Sequence, residues 1–182
     1  MLPWAVIVGL DRSLFPGSNN ELRLERSLLS MILNRATDCT RVFLRVTFGV
    51  SFLSAVADRL GFWGAHGQPN VLWGNLSRFI AYAGMLTWFA PAASIPALAW
   101  AETLVESLLG RALIVGFFTQ IAALLSGLML LSFASSMTFA FGVKATLDLS
   151  LFSASAGALL LAAYGRYPLS IDELRRRRKS TA

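Results

Sequence analysis

Two glutamates lie four residues apart in a long apolar stretch whose only other charged residue is Arg111. Glu102 and Glu106 share one helix face, since residues four apart are neighbours on a helix surface, and Gly110 continues that face. Counted from Pro96 at ~1.5 Å per residue, Glu106 lies ~15 Å along the helix, near the middle of a bilayer. A buried carboxyl can hold a proton, which suits proton exchange with a quinone or another redox ligand. The alternative is a protonated glutamic acid that hydrogen-bonds a neighbouring helix.

Four further charged residues stand where apolar segments begin or end. Asp58 and Arg59 close the first long segment, and Lys144 and Asp148 open the last one, four residues apart. If these segments cross a bilayer, all four side chains reach the outer surface and ring the mouth of a cavity, with Glu102 pointing towards them. The alternative is that Asp148 caps its helix and that Lys144 and Asp148 form an ordinary surface pair.

The composition of the chain indicates lipid rather than water as its solvent. Of its 182 residues, 55% are hydrophobic and only 14% are charged, whereas soluble domains carry roughly a quarter charged residues. A water-soluble fold of this length would lack the charge to cover its surface. With one cysteine, Cys39, and one histidine, His66, neither an intrachain disulfide nor a multi-histidine metal or haem site is expected, so no metal is predicted.

Apolar segments of membrane-spanning length divide the chain. Residues 96–141 would form a straight helix of ~69 Å, whereas a bilayer core is ~30 Å thick. This tract must therefore fold back once, and Gly116, Thr119 and Gln120 offer the break. The sequence thus predicts an all-α membrane protein, a bundle of four transmembrane helices. The spans are predicted at about 42–60, 96–115, 118–141 and 147–164.

The predicted domain organisation has three parts. Residues 1–40 form a cytoplasmic N-terminal segment with a basic amphipathic helix at 18–35, which lies either in the membrane interface or against the protein itself. Ser18 would cap this helix. Residues 41–165 form the transmembrane domain, and residues 166–182 form a basic cytoplasmic tail.

The aromatic stretch at 76–90 is predicted as a helix on the outer face. Its apolar run between Arg78 and Pro91 is short of the ~20 residues that a span needs, and aromatic residues concentrate at membrane interfaces. The helix therefore lies on the outer face or dips into it, after a loop that contains Trp63 and His66. A fifth span is the alternative.

Lysine and arginine residues set the predicted orientation. With four spans and a cytoplasmic start, all but Arg59, Arg78 and Lys144 of the 16 lysines and arginines lie on the inner side, as the positive-inside rule requires. A fifth span would place one of the two basic ends outside. We therefore expect a bacterial inner-membrane protein with both termini in the cytoplasm. The positive-inside rule accounts for the basic residues at both ends of the chain, so no nucleic-acid partner is predicted.

Three short motifs follow one another along the chain. The stretch from Arg45 to Phe52 reads R-x3-G-x2-F, and the stretch from Glu106 to Ala123 reads E-x3-G-x5-G-x-x-T-x-x-A-A. Near the C-terminus comes Ser170-Ile171-Asp172. In this order and spacing, over about residues 41–173, the motifs resemble those of the DoxX family of small bacterial membrane proteins.

The resemblance implies a four-helix membrane protein and suggests redox chemistry. Relatives include a subunit of a thiosulfate–quinone oxidoreductase and a member of a mycobacterial membrane complex with a superoxide dismutase and a sulfurtransferase. The first hypothesis is therefore a membrane subunit of a quinone-linked or thiol/sulfur redox complex, with a quinone as its cofactor and redox subunits as its partners. In this hypothesis the intramembrane site is lined by Glu102, Glu106 and Arg45, and its outer mouth by Asp58, Arg59, Lys144 and Asp148.

Two other functions stay open at this point. A non-enzymatic scaffold would use the N-terminal amphipathic helix and the basic tail as contact surfaces, and the absence of redox cysteines and multi-histidine sites favours it. A carrier of small solutes ranks third, because four spans are few and no inverted repeat is evident. The sequence identifies no substrate and leaves the oligomeric state open, a homo-oligomer included.

Overall fold

Helices are the only regular secondary structure in the part of the chain that the structure describes. The computed structural model describes residues 19–180, and no strand occurs among them. The all-α prediction is therefore confirmed for these residues. The helices are α1 (Asn19–Arg59), α2 (Leu76–Leu86), α3 (Ile95–Val115), α4 (Thr119–Phe141), α5 (Val143–Asp148), α6 (Leu151–Ala163) and α7 (Ile171–Ser180), with a 3-10 turn at Ala92–Ser94 before α3.

Two compact units make up the chain, residues 1–37 and residues 38–182. The division lies close to residue 40, where the predicted N-terminal segment ends. The described part of the first unit is the beginning of α1, and its large apolar side chains are exposed: Leu24, Leu28, Leu29, Met31, Ile32 and Leu33. The second unit contains the rest of α1 and all the other helices.

Helix α1 is longer than the sequence predicts. An amphipathic helix at 18–35 and a separate first span are expected, but one unbroken helix runs from Asn19 to Arg59. No glycine or proline occurs between Asn19 and Phe48, so nothing in this stretch interrupts a helix. The predicted capping residue Ser18 lies outside the described residues.

The loop after α1 leads into α2, which begins at its predicted first residue and ends at Leu86, four residues before its predicted end. The side chain of Asn75 caps this helix, because its Oδ1 accepts a hydrogen bond from the Arg78 N–H at 3.0 Å. With 11 residues, α2 is about 16 Å long, which is shorter than a bilayer core is thick. It is therefore too short to cross a bilayer by itself.

The turn between α3 and α4 lies where the sequence predicts a break. Gly116 adopts a φ of 73°, a left-handed conformation that glycine alone adopts without strain. The N–H groups of Gly116 and Phe117 both donate to the Ala112 carbonyl, at 2.9 and 3.0 Å. Phe118 follows with a φ of 46°, and α4 begins at the next residue. Both helices begin and end within one residue of their predicted bounds.

The last apolar segment consists of two helices rather than one. A span at 147–164 is predicted, but α5 ends at Asp148 and α6 begins at Leu151. Ser150 lies between them in a left-handed conformation, with a φ of 54°. The predicted turn after Gly142 is itself the short helix α5. A break made by a single residue leaves no trace in the apolar pattern, which is why the sequence does not reveal it.

Helices α1, α3, α4 and α6 contribute to one apolar core. Small residues let these helices approach closely: a Cβ built on Gly49 would lie 2.8 Å from the Gly110 carbonyl oxygen, and Ser155 Oγ donates to the Gly127 carbonyl at 2.8 Å. The buried residues of the core are Phe52, Leu109, Leu113, Ala122, Ala123, Leu161, Ala162 and Tyr167.

Among the described residues, two helices are long and apolar enough to cross a membrane. They are α4 and the Arg23–Arg59 part of α1, whereas α2 and α6 are apolar but shorter. Helix α3 has 21 residues but carries three charged ones, Glu102, Glu106 and Arg111. Length and composition of the described residues thus support a membrane protein with two helices able to span.

Candidate functional site

A buried cluster of one arginine and two glutamates joins the end of α1 to the middle of α3. Arg59 Nη1 lies 2.7 Å from Glu106 Oε2, and Arg59 Nη2 donates to Glu106 Oε1 at 3.2 Å. Glu102 Oε1 lies 3.6 Å from Arg59 Nη2. Arg59 is only 4% exposed and Glu106 only 7%. The structure thus unites the two predicted glutamates with Arg59, which the sequence assigns to the outer mouth instead.

The packing of α1 against α3 explains why these side chains meet. Gly49 and Gly110 touch where the helices cross, since a Cβ on Gly110 would lie 3.0 Å from the Gly49 carbonyl oxygen. The helices run antiparallel, because Arg59 comes after Gly49 in α1 whereas Glu106 comes before Gly110 in α3. Side chains tilt towards the N-terminus of their own helix. Arg59 therefore leans back along α1, and Glu106 leans towards it.

Arg59 is held by further contacts that leave two polar atoms unpaired. Its Nη1 donates to Thr103 Oγ1 at 3.4 Å, and its guanidinium carbon lies 3.7 Å from the centre of the Phe79 ring, a cation–π contact. Arg59 Nε and Glu106 Oε2 are buried without a hydrogen bond. The 2.7 Å approach of Nη1 to Oε2 is a charge contact whose angle does not suit a hydrogen bond. One donor and one acceptor therefore remain for another partner.

The cluster forms part of the wall of a cavity of about 440 Å³, which we call the Arg59 cavity. This volume lies in the range of small-molecule sites, which are usually apolar with a few convergent polar groups. Arg59, Glu102 and Glu106 are the charged residues on its wall. Aromatic side chains make up much of the remainder: Phe48, Phe52, Trp73, Phe79, Tyr82 and Phe133.

Asp58 shapes the loop that supplies one of these aromatic residues. Its Oδ2 accepts hydrogen bonds from the N–H groups of Leu72 and Trp73, both at 3.0 Å, and its Oδ1 accepts one from Gly74 at 3.3 Å. The Trp73 ring lies 4.7 Å from that of Tyr82 between centres. Asp58 therefore positions the cavity wall, and its carboxylate is occupied by backbone donors.

Arg45 lies apart from the glutamates with which the sequence groups it. It precedes Arg59 by about four turns of α1, or ~21 Å. Its Nη2 donates to the Leu169 carbonyl at 2.6 Å and its Nη1 to the Pro168 carbonyl at 3.4 Å. At 3% exposure it is buried against the segment before α7, so it binds backbone rather than the Arg59 cavity.

The first turn of α7 also caps α4. Asp172 accepts hydrogen bonds from the N–H groups of Phe118 and Thr119, at 3.0 and 2.7 Å, and from Thr119 Oγ1 at 2.8 Å. Its own N–H donates to the Gly116 carbonyl at 3.1 Å. A Cβ on Gly116 would collide with Ser170. Residues from all three sequence motifs thus meet at this end of the helices.

Lys144 and Asp148 form a pair of their own on α5. Lys144 Nζ lies 2.6 Å from Asp148 Oδ2, and the two side chains are 87% and 61% exposed. Neither residue lies on the wall of the Arg59 cavity, although Leu149 and Leu151 do. Their geometry is that of an ordinary surface pair.

Sequence reasoning missed the partner of Glu106 and most of the aromatic wall. The available signal for Arg59 was its place in the last turn of a helix, because a long side chain there leans back along the helix. The sequence places Phe79 and Tyr82 at a membrane interface from their residue type, and Trp73 in the loop before them. Nothing in their spacing indicates that they face Arg59.

No protein-family model, curated protein or solved structure matches this chain. The resemblance to the DoxX family therefore stays a prediction that rests on the three motifs. The function has to be argued from the cavity and its charged cluster.

Proposed function

We propose that this chain is a DoxX-like four-helix protein of a bacterial inner membrane that binds a quinone-like redox ligand in the Arg59 cavity. In this proposal it serves as a subunit of a quinone-linked or thiol/sulfur redox complex, with both termini in the cytoplasm. The observation that carries the proposal is the buried cluster of Arg59, Glu106 and Glu102 on the wall of an aromatic cavity.

The exposed surface of the helices supports a membrane location. Large apolar side chains are exposed along α1, α3 and α4, among them Phe43, Leu104, Leu108, Ile121 and Phe139. Extended apolar surface is rare on soluble monomers, whereas lipid solvates it well. Helix α3 is ~31 Å long, and α5 and α6 together cover a similar length, so each has the reach of a span.

The cavity offers what a quinone needs for binding. Quinones have a flat ring and two carbonyl oxygens, so they stack on aromatic side chains and accept hydrogen bonds. The aromatic wall around Phe79 and Trp73 provides the stacking surfaces, and Arg59 Nε is a buried donor without a partner. The Arg59 guanidinium is also held in place by Glu106 and Phe79. Because this side chain is already ordered, less conformational entropy is lost when a ligand binds.

The charge of the cluster suits proton transfer. One guanidinium faces two carboxyl groups, and a buried charge without a partner is costly. Arg59 compensates one carboxylate, so the other is suited to hold and release a proton. When a quinone is reduced to a quinol, each carbonyl oxygen gains one electron and one proton. The protonated carboxyl, Glu106 or Glu102, would supply both protons in turn, taking up a second one from water after the first transfer, and a redox partner subunit would supply the two electrons.

A binding measurement tests the proposal. Trp73 lies on the wall of the Arg59 cavity, so a bound short-chain quinone should quench tryptophan fluorescence of the purified, detergent-solubilised protein. Glu106→Gln keeps the size of the side chain but removes its charge, and we expect it to weaken binding by about tenfold or more. Glu25→Gln, at an exposed position of α1, is the matched control and should bind as the unaltered protein does.

Two results would contradict the proposal. One is that no quinone quenches the fluorescence at concentrations that the protein tolerates. The other is that Glu106→Gln and Glu25→Gln bind a quinone equally well, since the charged cluster would then have no part in binding.

A non-enzymatic scaffold is the second candidate, and one observation favours it. The first unit exposes six large apolar side chains between Leu24 and Leu33, and α7 exposes Arg175 and Arg176. Both surfaces suit contact with a protein or lipid partner. In this case deletion of residues 174–182 would abolish the capture of partners, whereas Glu106→Gln would have no effect.

A further inference from the structure

We infer that the ligand is a quinone with a long aliphatic tail, and that the tail leaves the Arg59 cavity through a second, apolar cavity between α2, α3 and α4. The inference rests on the proposed function, because it names the class of ligand that the Arg59 cavity takes. The quinone ring would lie beside Arg59, and the tail would pass into lipid.

The two cavities share part of their walls. The second cavity has a volume of about 340 Å³. Glu102, Met129 and Phe133 lie on its wall and also on the wall of the Arg59 cavity. These three side chains therefore separate the two spaces. A methionine is flexible and adapts its shape to a neighbour, so Met129 is suited to let a chain pass between them.

The second cavity has the chemistry of a site for a tail. Its wall is mostly apolar and includes Leu86, Leu98 and Val105, beside Ser136. The other two hydroxyl groups on this wall, of Thr87 and Ser132, already donate hydrogen bonds to backbone carbonyls. Leu98 and Val105 are 44% and 43% exposed, so the cavity reaches the outer surface of the helices. In the proposed membrane that surface faces lipid. A tail in the second cavity would therefore continue directly into the bilayer.

Glu102 marks the boundary between the polar and the apolar part of such a ligand. It is the charged residue that both walls share. Its side chain is 25% exposed, and its carboxylate lies 3.6 Å from Arg59. An amphiphile with its ring at Arg59 would have its first tail carbons beside Glu102 and Phe133.

Polarity argues against a route through a third cavity. The Arg59 cavity, at about 440 Å³, lies near the lower end of the range for drug-sized ligands, so a long tail needs an exit. A third cavity, which adjoins it at Ser51 and Ala55, is lined by Ser54, Asp58 and Asn70. A tail placed there would remove water from polar groups without replacing their hydrogen bonds.

The test compares a quinone that has a long isoprenoid tail with the same quinone without a tail. Ser136 lies on the wall of the second cavity and not on that of the Arg59 cavity, so Ser136→Trp fills the proposed exit. We expect this change to weaken binding of the tailed quinone by about tenfold or more, since a filled cavity resists a further chain. Binding of the tail-less quinone should stay unchanged.

Two further variants make the result specific. Ala101→Trp fills the same cavity from α3 and should act in the same way. Ser153→Trp is the matched control, because Ser153 lies on α6 and on neither wall. It should leave both affinities unchanged. Retained binding of the tail-less quinone shows in each case that the variant is folded.

The outcomes separate this inference from the proposed function. If Ser136→Trp and Ala101→Trp change both affinities equally, or neither, the tail does not use the second cavity and the inference is wrong. The proposed function would survive that result, provided that binding of the tail-less quinone still depends on Glu106. If the unaltered protein binds neither quinone, the proposed function fails and the inference fails with it.

Discussion

Arg45 and Arg59 are two buried arginines on the same helix whose surroundings differ. Both are less than 5% exposed, at 3% and 4%. Arg45 donates to the Pro168 and Leu169 carbonyls in a packed junction. Arg59 pairs with two glutamates on the wall of a cavity. One arginine thus fastens two parts of the chain together, and the other presents charge to a cavity.

The comparison shows which features mark a site. Both arginines leave Nε without a hydrogen bond, so an unpaired buried nitrogen does not by itself indicate a ligand. Around Arg59 three further features coincide: a cavity, an unpaired oxygen on Glu106, and more carboxyl groups than the guanidinium can compensate. The carbonyl groups that accept hydrogen bonds from Arg45 are uncharged, so this junction gives no indication of a ligand.

The largest effect is expected from Arg59→Met, which removes the positive charge but keeps apolar bulk. Glu106 would remain buried, and Glu102 half-buried, without a partner, and breaking a buried pair costs about 3–5 kcal/mol. Unfolding of the solubilised protein by heat or denaturant measures this loss. The triple variant with Glu102→Gln and Glu106→Gln should recover part of the stability. If the free energy of unfolding changes by less than about 1 kcal/mol, the cluster is hydrated like a surface pair. Arg59 would then lack the buried charge pairing that distinguishes it from Arg45.

Arg45→Met should also destabilise the protein, but it should not affect the ligand. Two charge-assisted hydrogen bonds to the Pro168 and Leu169 carbonyls would be lost, at about 1.5–3 kcal/mol for a bond of this kind. Quinone affinity, measured on the folded fraction by tryptophan quenching, should stay as in the unaltered protein. If affinity falls as it does for Glu106→Gln, Arg45 acts on the site after all, as the sequence suggests.

The sequence predicts the helices better than it predicts their contacts. Gly116 was identifiable as a turn because the tract from Pro96 to Phe141 is too long for one span and glycine is the residue that permits a reversal. By contrast, the break at Ser150 depends on the conformation of one residue. The continuity of α1 through Thr37 depends on the absence of any helix-ending residue, which a search for caps and charges does not reveal.

Pairing between helices is what the sequence leaves undetermined. Arg59 meets Glu106, and Arg45 meets Leu169, only because Gly49 and Gly110 fix how α1 crosses α3 and because Asp172 ties the C-terminal segment to α4. Periodicity gives each helix a face but not its rotation against a neighbour. The candidate glutamates could therefore be found from their burial in an apolar tract, whereas their arginine partner could not.

A smaller effect is expected at the arginine-rich end, where Glu173 is buried within α7. Hydrogen bonds from Arg176 lower the pKa of Glu173, burial raises it in part, and a hydrogen bond from Arg177 lowers it further. Together these effects hold the pKa below its ordinary value of 4.5. A pKa that is lower in the folded than in the unfolded state stabilises the fold at pH values above the ordinary pKa. That stability is lost as the pH falls through the lower, folded-state pKa.

Comparing unfolding of Glu173→Gln and the unaltered protein across pH tests this contact. The unaltered protein should be the more stable one at neutral pH, and the difference should shrink as the pH falls below 4.5. Quinone affinity at neutral pH should be equal in Glu173→Gln and in the unaltered protein. Glu173, like Arg45, would then stabilise the fold without contributing to the ligand site. A difference in stability that grows towards acid pH would contradict the assignment.

The smallest effect is expected from Lys144→Ala on α5. Lys144 and Asp148 pair at 2.6 Å, but both side chains are largely exposed, and an exposed pair four residues apart on a helix contributes only about 0.3–0.5 kcal/mol. Added salt should reduce even this difference, because exposed charges are screened. Quinone affinity should not change, since neither residue lies on the wall of the Arg59 cavity. A loss of quinone affinity in Lys144→Ala would instead place α5 at the mouth of the Arg59 cavity. The charged groups that act on the ligand would then include Lys144 as well as Arg59, Glu102 and Glu106.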